Sequence, residues 1–292
     1  GEVVTGTSSG TQGTIVDIIG DGGTGDTTGR LVLSIISGTN FSNNETITSA
    51  GGSALANGGL FNNYNSGYDY DITKSNGAVF IEGNGTGTTT IDGAGIDRVF
   101  DVRPRAAVYF SDLTITGGET GGTDDHGAGL RNLGATSVFT NVEITGNTAG
   151  RGNDNVGGGI YTTSSGRESG RIFMNGGTVS DNISESHGGG IYLSGTNVGE
   201  SLLWLDGTTI SGNSASDPSG IRTDRDGGGL YFTDDGNRAV LKDVTIDDNT
   251  TRDDGGGAYF TGADQVIEIT GGSITNNFAG INSTGTDDND GG

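Results

Sequence analysis

A parallel β-helix of about six to eight coils, preceded by a small β module, is the fold that the sequence predicts. Three observations support this all-β prediction. A phrase of three Gly, an aliphatic residue and Tyr starts at Gly157, Gly188, Gly227 and Gly255, with a weaker copy at Gly127. A second recurring phrase is an apolar β-branched residue followed by a turn that ends in Asn. Short apolar runs separated by Gly, Asn and Asp favour strands, and no window has helical spacing.

The distance between successive Gly phrases varies, at 30, 31, 39 and 28 residues, which indicates loops of different length on a constant frame. A unit this small cannot bury its own apolar face, so it must stack on its neighbours at about 4.8 Å per layer. Each unit is predicted to hold three short strands. In one unit they are Ile191–Ser194, Leu202–Asp206 and Thr208–Ser211.

Stacking in register places like residues in columns. One column is predicted to point inward and is aliphatic: Leu130, Ile160, Ile191, Leu230 and Ala258. A second is predicted to be a structural Asn ladder, because each amide can bond to its copy and to the backbone of the turn. Its members are Asn147, Asn182, Asn213, Asn249 and Asn277.

Three regions follow each other along the chain. Residues 1–59 are predicted to form a small β module, with strands at Thr14–Ile19, Arg30–Ser37 and Glu45–Ser49, that acts in joining or assembly. Residues 60–77 are interpreted as a linker or cap, and residues 78–292 as the β-helix. The first residue is Gly, so we expect the chain to be part of a larger protein.

The passage Thr88–Gly118, together with the Gly and Asn phrases, resembles the right-handed parallel β-helices of the pectin-lyase-like superfamily. The likeness covers roughly Ala78 to Asn277 and is greatest to the repeat-rich, non-catalytic branch seen in polymorphic outer-membrane proteins and large bacterial surface proteins. It implies a right-handed solenoid without enzymatic activity. The N-terminal module is similar to short β units of marine phage structural proteins, which implies an alternative role in a virion.

The net charge of −23 excludes a large basic surface, so nucleic acid and anionic membranes are not expected partners. The chain has no Cys and no apolar run long enough for a membrane span. An acidic, Lys-poor surface rich in Gly, Thr and Asn is typical of proteins exposed to a salty medium. These features predict an extracellular or cell-surface location.

The Tyr of each Gly phrase follows an inward residue, so strand alternation predicts that it points outward. The resulting column is Tyr161, Tyr192, Tyr231 and Tyr259. It is interpreted either as a ladder that covers its own backbone or as an exposed strip that binds a neighbouring subunit or a glycan. Phe139, Phe173 and Trp204 are candidates for a second aromatic column on the next face, and their inward or outward orientation stays open because Lys242 interrupts the alternation.

Acidic residues crowd the turns before the Gly phrases. Stacked carboxylates repel one another, and Ca²⁺ takes oxygen ligands of this kind. A Ca²⁺ site is therefore one hypothesis and a solvated acidic edge is the other; the candidate ligands are Asp224, Asp226, Asp253 and Asp254.

A catalytic site is the remaining hypothesis for these turns. The segments DDHG and SHGG resemble the DD and HG motifs of polygalacturonase-type glycosidases, in which paired carboxylates act as acid and base. The companion motifs of that family are missing. The residues that would carry such chemistry are Asp124, Asp125, His126 and His187.

Together these features predict a non-enzymatic extracellular structural protein, a β-helical rod that associates with copies of itself. Glycans are a second class of expected partner. A polysaccharide lyase or hydrolase and a phage tail or virion decoration protein are the alternatives.

Overall fold

The structure is a computed structural model, and the chain divides into two compact units, Gly1–Asn62 and Asn63–Gly292. It describes residues 3–6, 12–20, 29–37, 45–49, 52–56, 69–122, 125–150, 155–195, 199–216 and 225–280. Within these ranges no helix has the length and apolar character needed to cross a membrane.

The N-terminal unit contains an antiparallel sheet of five described strands. Three of them coincide with the predicted strands. Across the sheet their order is Gly29–Ser37, Gln12–Gly20, Val3–Gly6, Glu45–Ser49 and Gly52–Ala56.

The second unit is a parallel solenoid, which confirms the predicted fold class. The chain passes in turn through sheets that we name I to IV, and each strand pairs in parallel with its copy in the next layer. Sheet I consists of Tyr70–Ile72, Phe100–Val102, Leu130–Leu133, Ile160–Thr163, Ile191–Leu193, Leu230–Phe232 and Ala258–Phe260. Sheet II consists of Ala78–Glu82, Ala107–Ser111, Thr136–Thr140, Arg171–Asn175, Leu202–Asp206, Arg238–Lys242 and Val266–Thr270.

Sheets III and IV complete each turn. Sheet III consists of Thr90–Asp92, Thr114–Thr116, Glu143–Thr145, Thr178–Ser180, Thr209–Ser211, Thr245–Asp247 and Ser273–Thr275. Sheet IV consists of Glu119–Thr120, Thr148–Ala149, Ile183–Ser184, Ser214–Ala215 and Thr250–Thr251. The described part of the chain thus forms seven layers in sheets I to III.

Two details differ from the sequence expectation. Sheet IV was not predicted, because its two-residue strands directly follow the Asn turn and have no apolar pattern of their own. The first strand of the solenoid, Tyr70–Ile72, lies inside the segment interpreted as a linker or cap, where it pairs with Phe100–Val102.

The core is built from inward columns of sheets I, II and III. In the central layers these side chains are almost fully buried, as Ile160, Ile172 and Ile144 illustrate. Each methylene removed from water stabilises the fold by about 0.8 kcal/mol, so a stack of aliphatic residues compensates for a modest overall hydrophobic content.

The three Gly of each phrase have three different roles, which the unit Gly188–Gly190 illustrates. Gly188 has a φ of +64°, a conformation that L side chains rarely adopt. A Cβ on Gly189 would lie 2.5 Å from backbone atoms of Gly228 and Ser214. A Cβ on Gly190 would lie 2.7 Å from the Gly229 carbonyl oxygen and 3.0 Å from the side chain of Asn213. The third Gly therefore makes room for the Asn ladder.

The Asn ladder runs through the corner between sheets III and IV. The Asn213 side-chain amide donates to Asn249 Oδ1 at 2.9 Å and to the Val179 carbonyl at 2.9 Å. Its Oδ1 accepts the backbone N–H of Asn182 at 3.1 Å and the side-chain amide of Asn182 at 3.0 Å. The pattern repeats at every step from Gly118, whose N–H donates to Asn147 Oδ1 at 2.9 Å.

The three residues of the candidate aromatic column of sheet II do not share one register. Phe139 is fully buried and pairs with Met174, whereas Phe173 pairs with Val138 and Trp204. A shift of one residue moves a side chain to the other face of a strand, and Phe139 stands one position after Val138, the residue that aligns with Phe173.

Candidate functional site

The outer surface of sheet I is a single column of side chains that changes character along the solenoid. It starts with carboxylates, passes through a guanidinium and continues as aromatic rings. From the first layer to the last its members are Asp71, Asp101, Arg131, Tyr161, Tyr192, Tyr231 and Tyr259.

The four Tyr rings stack on one another. Ring centroids of Tyr161 and Tyr192 are 5.5 Å apart, those of Tyr192 and Tyr231 are 5.1 Å apart, and those of Tyr231 and Tyr259 are 5.4 Å apart. The side chains are half-buried. A ladder that covers its own backbone and a strip that binds a neighbouring subunit or a glycan both remain predictions for this column. Burial raises the pKa of the Tyr161 and Tyr192 phenols.

Both His residues contribute to covering the Tyr column. His126 stacks on Tyr161 with ring centroids 4.8 Å apart, and His187 stacks on Tyr231 at 4.5 Å. In each case the turn before one Gly phrase covers the Tyr of the next layer. The sequence could not show this, because the contact joins residues of different layers.

The Nδ1 atoms of the two His residues act as hydrogen-bond acceptors. His126 Nδ1 accepts the backbone N–H of Val156 at 3.3 Å, and His187 Nδ1 accepts that of Asp226 at 3.0 Å. The carboxylate of Asp226 continues the pattern by accepting the N–H of Asp254 at 3.2 Å. These side chains therefore tie each turn to the turn above it.

Of the candidate catalytic residues, the structure describes Asp125, His126 and His187. His126 and His187 lie two layers apart, about 10 Å along the solenoid. Asp125 forms an ion pair with Arg98, and its backbone N–H donates to Asn155 Oδ1 at 3.0 Å. Asp124 lies outside the described residues. A catalytic role for these residues remains a prediction.

The described candidate ligands of the Ca²⁺ hypothesis lie on neighbouring turns. Asp226 is buried, and Asp253 and Asp254 occupy the equivalent turn of the following layer. Among the described residues these carboxylates do not form a group of three with ligand atoms within 4.8 Å of one another. Asp224 lies outside the described part of the chain.

A different acidic group, which sequence reasoning missed, does reach that spacing. Asp69, Asp71 and Asp101 bring their carboxylate oxygens within 4.8 Å of one another at the first two layers. Arginines surround them and form ion pairs at 2.8 Å (Arg98–Asp69), 2.7 Å (Arg103–Asp101) and 2.5 Å (Arg131–Asp101).

These ion pairs neutralise most of the charge of the group, which is therefore a buried ion-pair network. Burial raises the pKa of Asp69 from 3.8 to about 6, against the opposing effect of the Arg98 charge. The neighbouring carboxylates of Asp101 and Asp71 add to the increase. At neutral pH the Asp69 carboxylate of the folded protein is therefore charged, and this charge lowers the stability of the fold.

The outer face of sheet II carries a continuous apolar stripe. Its members, in layer order, are Phe80, Tyr109, Val138, Phe173, Trp204 and Val240. The rings of Phe80 and Tyr109 stack with centroids 4.9 Å apart. Counting backwards from the ladder position could have found most of this stripe, since Val138, Phe173 and Trp204 each stand nine residues before a ladder Asn.

The last described layer exposes the inside of the solenoid. Ile269 is 51% exposed and Ile274 is 53% exposed, whereas their counterparts one layer below, Leu241 and Ile246, are each 1% exposed. Both positions belong to strands that lie at the edge of their sheets. Among the described strands, this layer thus has no further pairing partner on one side, and its strand edges surround an apolar centre.

No family model, no curated protein and no solved structure matches the chain. The fold and these surfaces are therefore the basis for any functional proposal.

Proposed function

We propose that the chain is a non-enzymatic extracellular structural protein whose β-helical unit associates end to end with copies of itself. The open apolar layer at Ile269 and Ile274 is the single observation that carries this proposal. An unpaired strand edge is a template for another strand, and the buried apolar area stabilises the pairing. A second copy of the chain is the partner that the proposal assigns to this layer.

The Asn ladder supports the same direction of growth. In each lower layer the backbone N–H of the ladder residue donates to the Asn of the next layer, as Asn249 donates to Asn277 Oδ1 at 3.0 Å. Asn277 is the last ladder residue of the described chain. A further layer that supplied an acceptor would continue the pattern.

Composition and sequence likeness support the remaining parts of the proposal. The net charge of −23 suits a protein exposed to salt, since mobile cations screen the repulsion between its carboxylates. We assign the solenoid to the pectin-lyase-like superfamily, and specifically to its non-catalytic surface-protein branch, on the Gly and Asn phrases.

The proposal is tested by introducing charge into the open layer. Ile274→Lys places an ammonium in the proposed end-to-end contact without disturbing a filled core position, because Ile274 is already half exposed. We expect the wild-type chain to form linear oligomers in negative-stain images and in sedimentation velocity. The oligomers of the Ile274→Lys variant should be weaker, so that they separate into single chains at protein concentrations at least tenfold above those at which wild-type oligomers separate.

Val266→Lys is the matched control. Val266 is exposed in the same layer but lies on the outer face of its strand, so its substitution should leave the oligomers unchanged. A wild-type chain that stays unassociated at millimolar concentration, or an Ile274→Lys variant that associates as the wild type does, would overturn the proposal.

A further inference from the structure

The side chains of the apolar stripe of sheet II vary in size and exposure along the solenoid. Phe80 is 65% exposed and Trp204 is 41% exposed. Val240 is 8% exposed and lies between larger side chains. In layer order from Phe80 to Val240, the side chains of the stripe are large, large, small, large, large and small. Five of the six side chains are at least partly exposed, and an apolar stripe of this length marks a contact surface.

We propose that this stripe packs against the same stripe of a second copy, with the two solenoids running antiparallel. The two-fold axis lies along the strand direction and passes between the layers of Val138 and Phe173. This lateral contact is separate from the end-to-end contact and does not depend on it.

Shape complementarity supports this arrangement. The axis places Phe80 opposite Val240 and Val138 opposite Phe173, so that a large side chain faces a small one. Tyr109 faces Trp204, which pairs two aromatic rings across the contact. A parallel arrangement would instead place each large side chain against its own copy, where the rings would hold the sheets apart.

The charges beside the stripe select the same arrangement. Glu82 and Lys242 are exposed and occupy equivalent positions of the first and sixth layers, so the antiparallel axis brings them face to face. Lys242 also contacts Asp206 of its own chain at 2.9 Å. A parallel axis would place Arg238 opposite Lys242, and this repulsion disfavours that alternative.

The area of the stripe indicates the strength of the contact. Six strands at about 4.8 Å spacing and five residues at about 3.3 Å each give a face of about 480 Å². Two such faces bury about 1,000 Å² in total, which is at the lower end for specific interfaces. A reversible dimer that forms at micromolar concentration is therefore expected.

Crosslinking between two single-Cys variants tests the geometry, because the natural chain contains no Cys. Facing sheets lie about 10 Å apart, which is too far for a disulfide, so a bis-maleimide with a spacer of about 10 Å is the suitable probe. Glu82→Cys and Lys242→Cys variants are treated separately and as a mixture. We expect crosslinked dimers in the mixture and almost none in either variant alone.

The separate samples serve as internal controls. In the antiparallel dimer two copies of residue 82 are five layers apart, about 24 Å, which is beyond the reach of the spacer. Equal crosslinking in the separate and mixed samples, or none in the mixture, would overturn the proposal.

Two substitutions separate the lateral contact from the end-to-end contact. Trp204→Lys in both Cys variants should lower the crosslinked yield at least tenfold while the circular dichroism spectrum stays unchanged. Ile274→Lys in the same background should leave the yield unaltered. Retention of the crosslink in the Trp204→Lys pair would contradict the assignment of the stripe.

The wild-type chain provides a measurement that needs no substitution. Trp204 is the only Trp of the sequence, so its fluorescence reports on the stripe alone. We expect its emission to shift to shorter wavelength as the protein concentration rises through the micromolar range. An emission maximum independent of concentration would contradict a dimer that covers Trp204.

Discussion

At the scale of single residues, this solenoid depends on positions where only one side chain fits. Gly190 is such a position, because an added Cβ would meet both the Gly229 carbonyl and the side chain of Asn213. Overpacking of this kind typically costs about 1–3 kcal/mol. The Gly-rich composition thus reflects the close approach of neighbouring layers and of the ladder, in addition to turn geometry.

Asp69 is a residue whose charge works against folding. Its folded pKa of about 6 exceeds the value of 3.8 for a free carboxyl group, mainly because of burial. The folded state therefore binds more protons than the unfolded state between these values, and the contribution of Asp69 to stability decreases as the pH rises from about 4 to about 6. Below that window the contribution no longer changes.

The corresponding prediction uses Asp69→Asn, which removes the titrating group but keeps the shape. The melting temperature of the wild type, relative to that of the variant, should fall as the pH is raised from 4 to 6. Thermal unfolding followed by circular dichroism measures this difference. Asp264→Asn, at an exposed site, is the control, and a difference that is flat across the window would contradict the prediction.

At the scale of structural elements, the corner between sheets III and IV depends on the Asn ladder. The Asn213 side chain satisfies donors and acceptors of the two neighbouring layers, including the buried Asn182 N–H and the Val179 carbonyl. Backbone groups buried in a turn have no strand partner, so a side chain must supply the hydrogen bond. The ladder therefore has the function that sheet pairing has elsewhere.

Asn213→Ala should lower the free energy of unfolding by about 3 kcal/mol, because it leaves buried polar groups without partners. Urea unfolding at equilibrium is the measurement. Asn175→Ala, at an exposed position of sheet II, should change the free energy by less than about 0.5 kcal/mol. Equal effects of the two substitutions would show that the ladder does not stabilise the corner.

The strands of sheets I and II show how face and register determine surface chemistry. On sheet I the outward column is covered by His126 and His187, and on sheet II the outward stripe is left open. Both columns are aromatic in sequence. The described contacts that cover the sheet I column come from His126 and His187, which stand in the turns before two of the Gly phrases.

At the scale of the whole solenoid, stability is a sum over layers and their neighbours. A middle layer has two neighbours, whereas the last described layer has one and exposes Ile269 and Ile274. Local opening should therefore start at that layer and require progressively more free energy toward the centre.

Hydrogen exchange measures this gradient directly. At low protein concentration, amides of Ser273–Thr275 should exchange at least a hundredfold faster than those of Thr178–Ser180, which occupy the same sheet three layers below. Uniform protection of the two strands would indicate that the solenoid opens as one cooperative unit and would contradict the layered description.

The sequence by itself determined the stacked layers, the inward aliphatic column, the Asn positions and the alignment of the four Tyr residues. It could do so because each of these features repeats, and a residue that recurs once per coil has the same environment in every coil. Leu202–Asp206 was predicted to the residue for the same reason.

Only the tertiary structure decided which surfaces are open. The His187–Tyr231 contact, the Arg131–Asp101 ion pair and the pairing of Phe173 with Trp204 all join residues about one coil or more apart in sequence. Loops of unequal length separate these residues, so their spacing from one coil to the next does not give the register, and only counting back nine residues from a ladder Asn aligns Val138, Phe173 and Trp204. Because a strand alternates faces at every residue, an uncertainty of one position is enough to exchange core and surface.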